Sequence, residues 1–524
     1  MKFRRFKLWF IPITVTVSTA AVIFAVSYYL DYCANAPLFS PWENFFRGNA
    51  NTFRYSLTAA ATSLAATLGI MVAIVLLIVQ LTANRYTPKV VDLFITHKGN
   101  LILISLFVVS VIVTLWISHS INDDYIPRYG GLFAMILMTI CFSLIVPYFL
   151  YLFNMLKPIN IINQIRREAI DTIHRLEKDP SYHLKAKHII NTELEKIADI
   201  ALSAVQKMDA EIAHHCVWAL QSIVDIYIVN KEHFHKDWYK VDKTHIIGAS
   251  QTVIDEVVKI EAWVEYRAMR QLLQIFAMSS KKLAEVSSAV AQACRTIGTT
   301  AAESKQAYLV DLVMKFFNSL LKYTITTNDV RSNNDTLYQY RLFAERIIEI
   351  NGDISKSIAF YLSHYAIIFA QHGGRQNFES AVYDLRKLNE RAHKKKVENM
   401  DQFLREFLEL QYRLDYRKKP RMVISLWKSY AILASFFLLR DEIEPARQIY
   451  AQMKRIPLDV LLQIKIEIFS VNESHFWEIT DRVISYNYVP PKQREKLREF
   501  FNWFLEEMGL LEQEADIAEA DLEY

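Results

Sequence analysis

Histidine–carboxylate pairs are the residues of this chain whose spacing could support metal chemistry. Glu211/His214 and Glu390/His393 each have i, i+3 spacing, which puts both side chains on one face of a helix. Di-iron bundles use such Glu-x-x-His pairs together with further glutamates from neighbouring helices. With 14 histidines in the chain, about one pair is expected by chance, and the further glutamates cannot be placed. We therefore expect ordinary helical residues here, with a metal site as the lesser alternative.

A second group of histidines stands close together in the sequence. His233-x-His235 precedes Asp237, and His245 follows eight residues after Asp237. Imidazole and carboxylate groups are zinc ligands, but this spacing matches no established zinc motif. We predict a hydrated loop, again with metal binding as the lesser alternative.

Motifs of the common enzyme classes are missing from the sequence. It contains no phosphate-cradling glycine loop, no G-x-S-x-G and no H-E-x-x-H. None of the four cysteines stands in a CxxC pair. We predict that the protein is not an enzyme and that it uses no cofactor or metal.

Four long apolar segments dominate the first 155 residues. They cover residues 8–30, 56–83, 100–118 and 131–155, and none contains Asp, Glu, Lys or Arg. Each segment is long enough to cross a hydrocarbon core of about 30 Å as a helix. We predict a transmembrane domain of four helices over residues 1–155. In the alternative interpretation, the first segment is a secretory signal cleaved near Ala34-Asn35-Ala36.

The loops between these segments differ in basic content. Basic residues precede the first segment, separate the second from the third and follow the fourth, whereas the other two loops are poorer in them. The positive-inside rule then places both termini in the cytoplasm. The net charge of +4 is small for 524 residues, so we expect no nucleic-acid partner.

The second apolar segment differs from the others because small and hydroxylated residues fill its first half. Small residues let helix backbones approach closely, and hydroxyl groups can form hydrogen bonds between helices. One interpretation is a packing face within the bundle, and the other is a helix that lines a pore around an oligomer axis. The residues of this predicted face are Ala61, Ser63, Ala65, Thr67 and Gly69, with Gln80 near the cytoplasmic end.

The chain leaves this segment through a basic and aromatic motif, Arg85-Tyr86-Thr87-Pro88-Lys89. Thr87 can cap a short helix that starts at Pro88, and we expect this helix to lie along the inner membrane surface. The stretch Val79–Lys89 resembles a signature of a family of predicted bacterial membrane proteins, domain of unknown function twenty-two fifty-four, and the resemblance covers about residues 1–230. It implies a bacterial inner membrane location with four membrane helices before a cytosolic helical region, and it implies no activity.

The sequence of residues 156–505 predicts a mostly helical region. No proline occurs between Pro180 and Pro420, and apolar residues follow helical spacing, for example in 193–205 and 308–321. We predict membrane-proximal helices over 156–230 and a cytosolic, partly repeat-like helical domain over 231–505. This domain is either an irregular solenoid or a globular helical domain, and a helix pair flanks Gly373-Gly374.

The remaining residues carry charge runs. Residues 506–524 form an acidic tail, and basic clusters stand at 393–396 and 417–421. Solvated surface is the simpler interpretation of each. The alternatives are contact of the basic clusters with anionic lipid and docking of the acidic tail to a basic partner.

Two functions fit these features. The first is a multi-pass membrane protein whose helical domain acts as an interaction or sensing scaffold, with the lipid bilayer and a protein as partners. The alternative is a homo-oligomeric channel or membrane-permeabilising effector, in which the second helix lines the pore and the cytosolic domain gates it. We expect a homo-oligomer.

Overall fold

The computed structural model describes residues 18–19, 21–26, 29, 49–85, 98–122, 125–155, 157–240, 250–372, 374–474, 482, 485–507 and 509. Over these residues the chain is all-helical and contains no β-strand, which confirms the predicted all-α class. The chain divides into two compact units, unit 1 (Met1–Ile161) and unit 2 (Ile162–Tyr524). The arrangement as a membrane bundle followed by a cytosolic domain stays a prediction.

Unit 1 contains three long helices that coincide with the second, third and fourth predicted spans. They are α1 (Ala50–Arg85), α2 (Lys98–His119) and α3 (Arg128–Met155). In the first predicted span, residues 18–19, 21–26 and 29 are helical. The rest of that span and the possible cleavage site at 34–36 lie outside the described residues.

The helices of unit 1 pack through a narrow apolar seam and leave most of their apolar surface exposed. Leu64 of α1, Phe107 of α2 and Cys141 of α3 are fully buried in one cluster. By contrast, Ile70, Ile102 and Leu150 expose 62%, 68% and 66% of their surface. Apolar surface of this extent is unfavourable in water and suits the hydrocarbon core of a bilayer.

Two polar contacts join α2 to α3 inside this apolar unit. The side chains of Ser110 and Cys141 lie 3.2 Å apart, and the Tyr148 hydroxyl donates to Asn100 Oδ1 over 3.2 Å. Hydrogen bonds between polar side chains on facing helices fix helix register where all other contacts are apolar.

Unit 2 is a succession of helices, most of which are joined by short connections. After α4 (Pro158–Lys178), which begins before the division between the units, it contains α5 (His183–Gln206), α6 (Ala210–Asn230), α7 (Gln251–Lys259), α8 (Trp263–Ser279), α9 (Ala284–Glu303), α10 (Ala307–Thr327), α11 (Val330–Ile347), α12 (Gly352–Gln371), α13 (Arg375–Lys394), α14 (Met400–Leu408), α15 (Pro420–Leu439), α16 (Ile443–Met453), α17 (Leu458–Phe469) and α18 (Pro491–Glu507).

Several helices that follow each other in sequence pack side by side in unit 2, and some also pack against more distant ones. Helix α12 packs against α13, which confirms the helix pair predicted around the two glycines. Helix α9 packs against both α6 and α11, and α15 packs against both α13 and α18. The repeat-like character predicted for this region stays a prediction.

Five helices among the described residues are long and apolar enough to cross a membrane. They contain Ala50–Ile78, Gly99–His119, Arg128–Asn154, Ala210–His233 and Pro420–Leu439. The last two belong to α6 and α15 of unit 2. The apolar window of α15 is 83% buried, against 22% for that of α1. Because other helices cover α15 on most sides, its apolar composition is that of a buried core helix, and we assign it to the core of unit 2.

A buried ionic cluster joins distant parts of unit 2. Asp384 of α13 is fully buried and accepts hydrogen bonds from Arg341 Nε of α11 at 2.9 Å and from Arg482 Nη1 and Nη2 at 3.0 and 2.9 Å. Arg482 also donates to the Asn334 carbonyl oxygen at 2.6 Å. A single carboxylate thus holds two guanidinium groups whose residues lie far apart in the sequence.

Candidate functional site

The predicted small-residue face of α1 does not coincide with the side of the helix that packs in unit 1. Ala61 is buried, whereas Ser63, Ala65 and Gly69 are exposed and Thr67 is half-buried. The packing side is made of larger residues such as Leu64. A Cβ atom added at Gly69 would meet nothing within 4 Å. In the single chain, this face is therefore open apart from Ala61, and its role in packing or in a pore stays a prediction.

The hydroxyl groups of this face bind to their own helix. Ser63 Oγ donates to the Ala59 carbonyl oxygen at 2.9 Å, and Thr67 Oγ1 donates to the Ser63 carbonyl oxygen at 2.8 Å. Bonds of this i to i−4 type satisfy a hydroxyl group without a partner helix. The face can therefore contact lipid or a second helix without leaving a polar group unsatisfied.

Most of the membrane-interface motif, residues 85–89, lies outside the described residues. Gln80 is exposed on α1, and Arg85 is the last residue of this helix. Tyr86, Thr87, Pro88 and Lys89 lie outside the described residues, so the predicted interfacial helix stays a prediction.

The two Glu-x-x-His pairs lie in different environments. Glu211 and His214 are exposed in the first turns of α6. Glu390 and His393 are buried on α13, but each has another partner. Glu390 accepts a hydrogen bond from Lys387 at 2.7 Å, and His393 Nδ1 lies 2.8 Å from Glu442 Oε2.

Two histidines of the loop after α6, His233 and His235, are exposed. His235 Nδ1 lies 3.2 Å from Asp237 Oδ2. His245 lies outside the described residues. Across the part of the chain that the structure describes, no group of three or more His, Cys, Asp or Glu side chains could hold a metal ion.

A cavity lies between α7, α8 and α10 in the described part of unit 2. Its volume is about 320 Å³, at the lower end of the range of small-molecule sites. Its walls are mainly apolar and include Val253 and Val257 of α7, Leu273 of α8, and Leu312 and Phe316 of α10. These residues come from three separate helices, so no sequence motif marks the cavity.

A lysine bridges two helices at the edge of this cavity. Lys315 Nζ of α10 lies 2.9 Å from Asp311 Oδ2 on the same helix and 3.3 Å from Glu256 Oε1 of α7. The hydrogen bond to Asp311 outweighs desolvation and, with Glu256, raises the pKa of Lys315. The lysine is thus charged at neutral pH, and it ties α7 to α10.

The inner wall of the cavity contacts a buried ion pair through Tyr308. Lys231 Nζ lies 5.0 Å from the centroid of the Tyr308 ring and donates to Glu265 Oε1 at 2.6 Å. Glu265 is fully buried, and its Oε2 has no hydrogen-bond partner among the described residues. Burial raises the pKa of the Tyr308 hydroxyl, so the phenol is neutral, and it donates a hydrogen bond to Gln306 Oε1 at 3.0 Å.

Apolar spans in unit 1 and an all-helical unit 2 define a helical membrane protein as the class of this chain. Residues 5–217 match the family model described as "Predicted membrane protein (DUF2254)". This match confirms the resemblance seen in the sequence over these residues. The match ends within α6, so it covers unit 1 and only the first helices of unit 2.

The other comparisons add little. No curated protein matches the chain. A solved structure titled "Circular tandem repeat protein with novel repeat topology and enhanced subunit contact surfaces" matches with a TM-score of 0.29 and 12% sequence identity. The match covers 69% of this chain and 91% of that one. A likeness at this level carries no argument about fold or function.

Proposed function

We propose that this protein is a membrane-anchored sensor, in which unit 1 holds the chain in the bilayer and unit 2 binds a small neutral amphipathic molecule. The observation that carries the proposal is the cavity between α7, α8 and α10. The proposal includes no catalytic step. Its topology is the one that the basic loops favour, with both termini on the cytoplasmic side of a bacterial inner membrane.

The charges around the cavity support a neutral ligand. Glu256 and Asp311 are balanced by Lys315 and Arg270, so the lining has no net charge. The remaining lining is mostly apolar, with the neutral phenol of Tyr308 as a polar group. A charged ligand would lose its hydration in the cavity without gaining a counter-charge, and this desolvation costs free energy. A ligand with an alkyl chain and a hydroxyl group avoids this cost.

Helix α7 is suited to report that the cavity is occupied. It has only nine residues, and its buried side chains are Ile254 and Val257. The contact between Glu256 and Lys315 ties it to α10 at the edge of the cavity. A ligand that fills the space beneath α7 would add contacts to a helix with few of its own, and would therefore protect it from local opening.

Hydrogen exchange tests this proposal on the full chain in nanodiscs. We expect octanol to slow amide exchange of residues 251–259 several-fold in the wild-type protein. Leu312→Trp, which fills the cavity, should abolish this response, and Val253→Phe should do so from the opposite wall. Leu439→Trp places the same ring at a position that is 43% exposed on α15 and should leave the response unchanged. Equal protection in all four proteins would refute the cavity as the binding site.

The open small-residue face of α1 favours a second function, a homo-oligomeric channel or membrane-permeabilising effector. Ala65 and Gly69 are exposed and lie one helical turn apart, so a second copy of α1 could approach closely there. In this proposal the copies meet along this face, and unit 2 gates the assembly through a ligand or a protein partner.

Crosslinking distinguishes the two functions. Single cysteines at Ala65 or at Gly69, in a chain with the native cysteines replaced, should crosslink into disulfide-linked dimers if copies of α1 meet along this face, and the native mass of the protein in detergent should then be that of four or more copies. Cysteines at Leu76, which is 58% exposed, serve as the control for random collision in the membrane. Equal crosslinking at the three positions would contradict the channel and would leave the sensor proposal unaffected.

A further inference from the structure

The loop that leads into α15, together with the first two residues of this helix, concentrates positive charge. We call residues 413–421 the basic loop. It contains one acidic residue, Asp415, and five basic ones, which are Arg413, Arg417, Lys418, Lys419 and Arg421. All five are exposed except Lys419, which is half-buried. Five basic residues with a single acidic residue among them create a positive surface potential, which attracts polyanions.

A tight turn holds the basic side chains of this loop in place. Asp415 Oδ1 accepts a hydrogen bond from the Arg417 backbone N–H at 3.0 Å. The Asp415 carbonyl oxygen accepts from the N–H groups of Lys418 and Lys419 at 3.1 and 2.9 Å. The single acidic residue of the loop therefore organises the turn, and the basic side chains of three successive residues project from a fixed backbone.

Most of this charge is not neutralised within the protein. Lys418 lies 3.8 Å from Asp415, and its side chain is 80% exposed. Arg413 lies 3.2 Å from Glu409. Among the residues that the structure describes, the side chains of Arg417, Lys419 and Arg421 have no ion-pair partner. They are available to an external anion.

Two tyrosines stand beside this charge. Tyr412 is 73% exposed, although its hydroxyl donates to Gln452 Oε1 at 2.8 Å. Tyr416 is 37% exposed and stacks on Trp427, with 5.2 Å between ring centroids. Aromatic rings with exposed faces next to Lys and Arg are the composition that settles at the headgroup level of membranes.

We propose that the basic loop binds the headgroups of anionic phospholipids. The partner is a lipid surface rather than a nucleic acid because three helices of unit 1 are long and apolar enough to cross a bilayer and, under the proposed function, hold the chain there. Phosphate groups at such a surface lie at a high local concentration, so several weak contacts act together. This surface is separate from the cavity of the sensor proposal, and either inference can fail alone.

Vesicle flotation tests the inference with the full chain in nanodiscs of phosphatidylcholine. We expect these discs to bind vesicles that contain phosphatidylglycerol and not vesicles of phosphatidylcholine alone. Replacing Arg417, Lys418 and Lys419 by Ser should weaken this binding about a hundredfold, and added salt should weaken the wild-type binding. Inorganic phosphate at equal ionic strength should not displace the discs.

A matched variant removes the same charge elsewhere. Lys394, Lys395 and Lys396 are also exposed, but Lys395 lies 2.8 Å from Glu349 and Lys394 lies over the Phe436 ring. Replacing these three lysines by Ser should change vesicle binding less than about threefold. Equal losses in both variants, or displacement by inorganic phosphate, would overturn the proposal. Tighter binding of a labelled RNA than of the anionic vesicles would also overturn it.

Discussion

At the scale of single residues, the unusual groups of this protein are charges held away from water. Asp384 holds two arginines, and Glu265 holds Lys231, in each case with the carboxylate fully buried. A buried charge costs several kcal/mol unless its partners remain in place. Such residues therefore report the integrity of unit 2 more sharply than the many exposed ion pairs do.

Asp384→Asn should destabilise unit 2 by about 3–5 kcal/mol, because it leaves Arg482 buried without a counter-charge and leaves Arg341 with Glu345 as its remaining acidic partner. Chemical unfolding followed by tryptophan fluorescence in detergent measures this change. Glu303→Gln is the control, since Glu303 pairs with Arg346 at positions that are 50% and 65% exposed. The control should lose less than about 1 kcal/mol, and equal losses would show that the Asp384 cluster is not what holds these segments together.

At the scale of helices, local sequence patterns were sufficient to predict a helix where one pattern, such as continuous hydropathy or helical apolar spacing, extends along its length. The apolar spans of α1, α2 and α3 were predicted from length and hydropathy, and α5 and α10 from apolar spacing. The pair α12 and α13 was predicted from the two glycines between them. These features depend on neighbours within a few turns, which the sequence displays directly.

The same patterns could not give the cavity. Val253, Leu273 and Leu312 stand on three helices and look like ordinary core residues in the sequence. Only the arrangement of α7, α8 and α10 leaves a space among them. Likewise, the spacing of Glu390 and His393 left a metal site open as the lesser alternative, and it could not show that Lys387 and Glu442 are their partners in the folded chain.

Lys315→Met should loosen α7, because it removes the contact that ties Glu256 to α10. We expect amide exchange of residues 253–259 to become several-fold faster, as for any short helix that loses a tertiary contact. Lys322→Met removes an exposed lysine from the same helix, α10, and is the matched control. If both variants exchange like the wild-type protein, the lysine bridge does not hold α7.

At the scale of the whole molecule, the two units differ in the surroundings that their surfaces suit. Unit 1 exposes apolar side chains along its helices, whereas α15 of unit 2 has the burial expected of a water-soluble core. In a hydrocarbon environment, backbone groups cannot exchange their helical hydrogen bonds for hydrogen bonds to water. Helices there therefore resist denaturants that unfold a soluble domain.

Urea should therefore unfold the full chain in detergent in separate steps. We expect unit 2 to lose its helical signal first, while the helical signal of unit 1 persists at urea concentrations that have unfolded unit 2. Far-ultraviolet circular dichroism follows the transition, and proteolysis at the plateau should leave a protected fragment that contains α1, α2 and α3. A single cooperative transition with no protected fragment would contradict this division of the molecule.

The most direct test of the sensor proposal is to find where a neutral amphipathic probe binds. Full-length protein in nanodiscs would be photolabelled with a diazirine-bearing octanol, and the labelled residues in unit 2 located by mass spectrometry. The proposal predicts labels on α7, α8 or α10 at the residues that line the cavity, with loss of these labels in Leu312→Trp and their retention in Leu439→Trp. Labels in unit 2 that avoid these three helices, or that persist unchanged in Leu312→Trp, would contradict it.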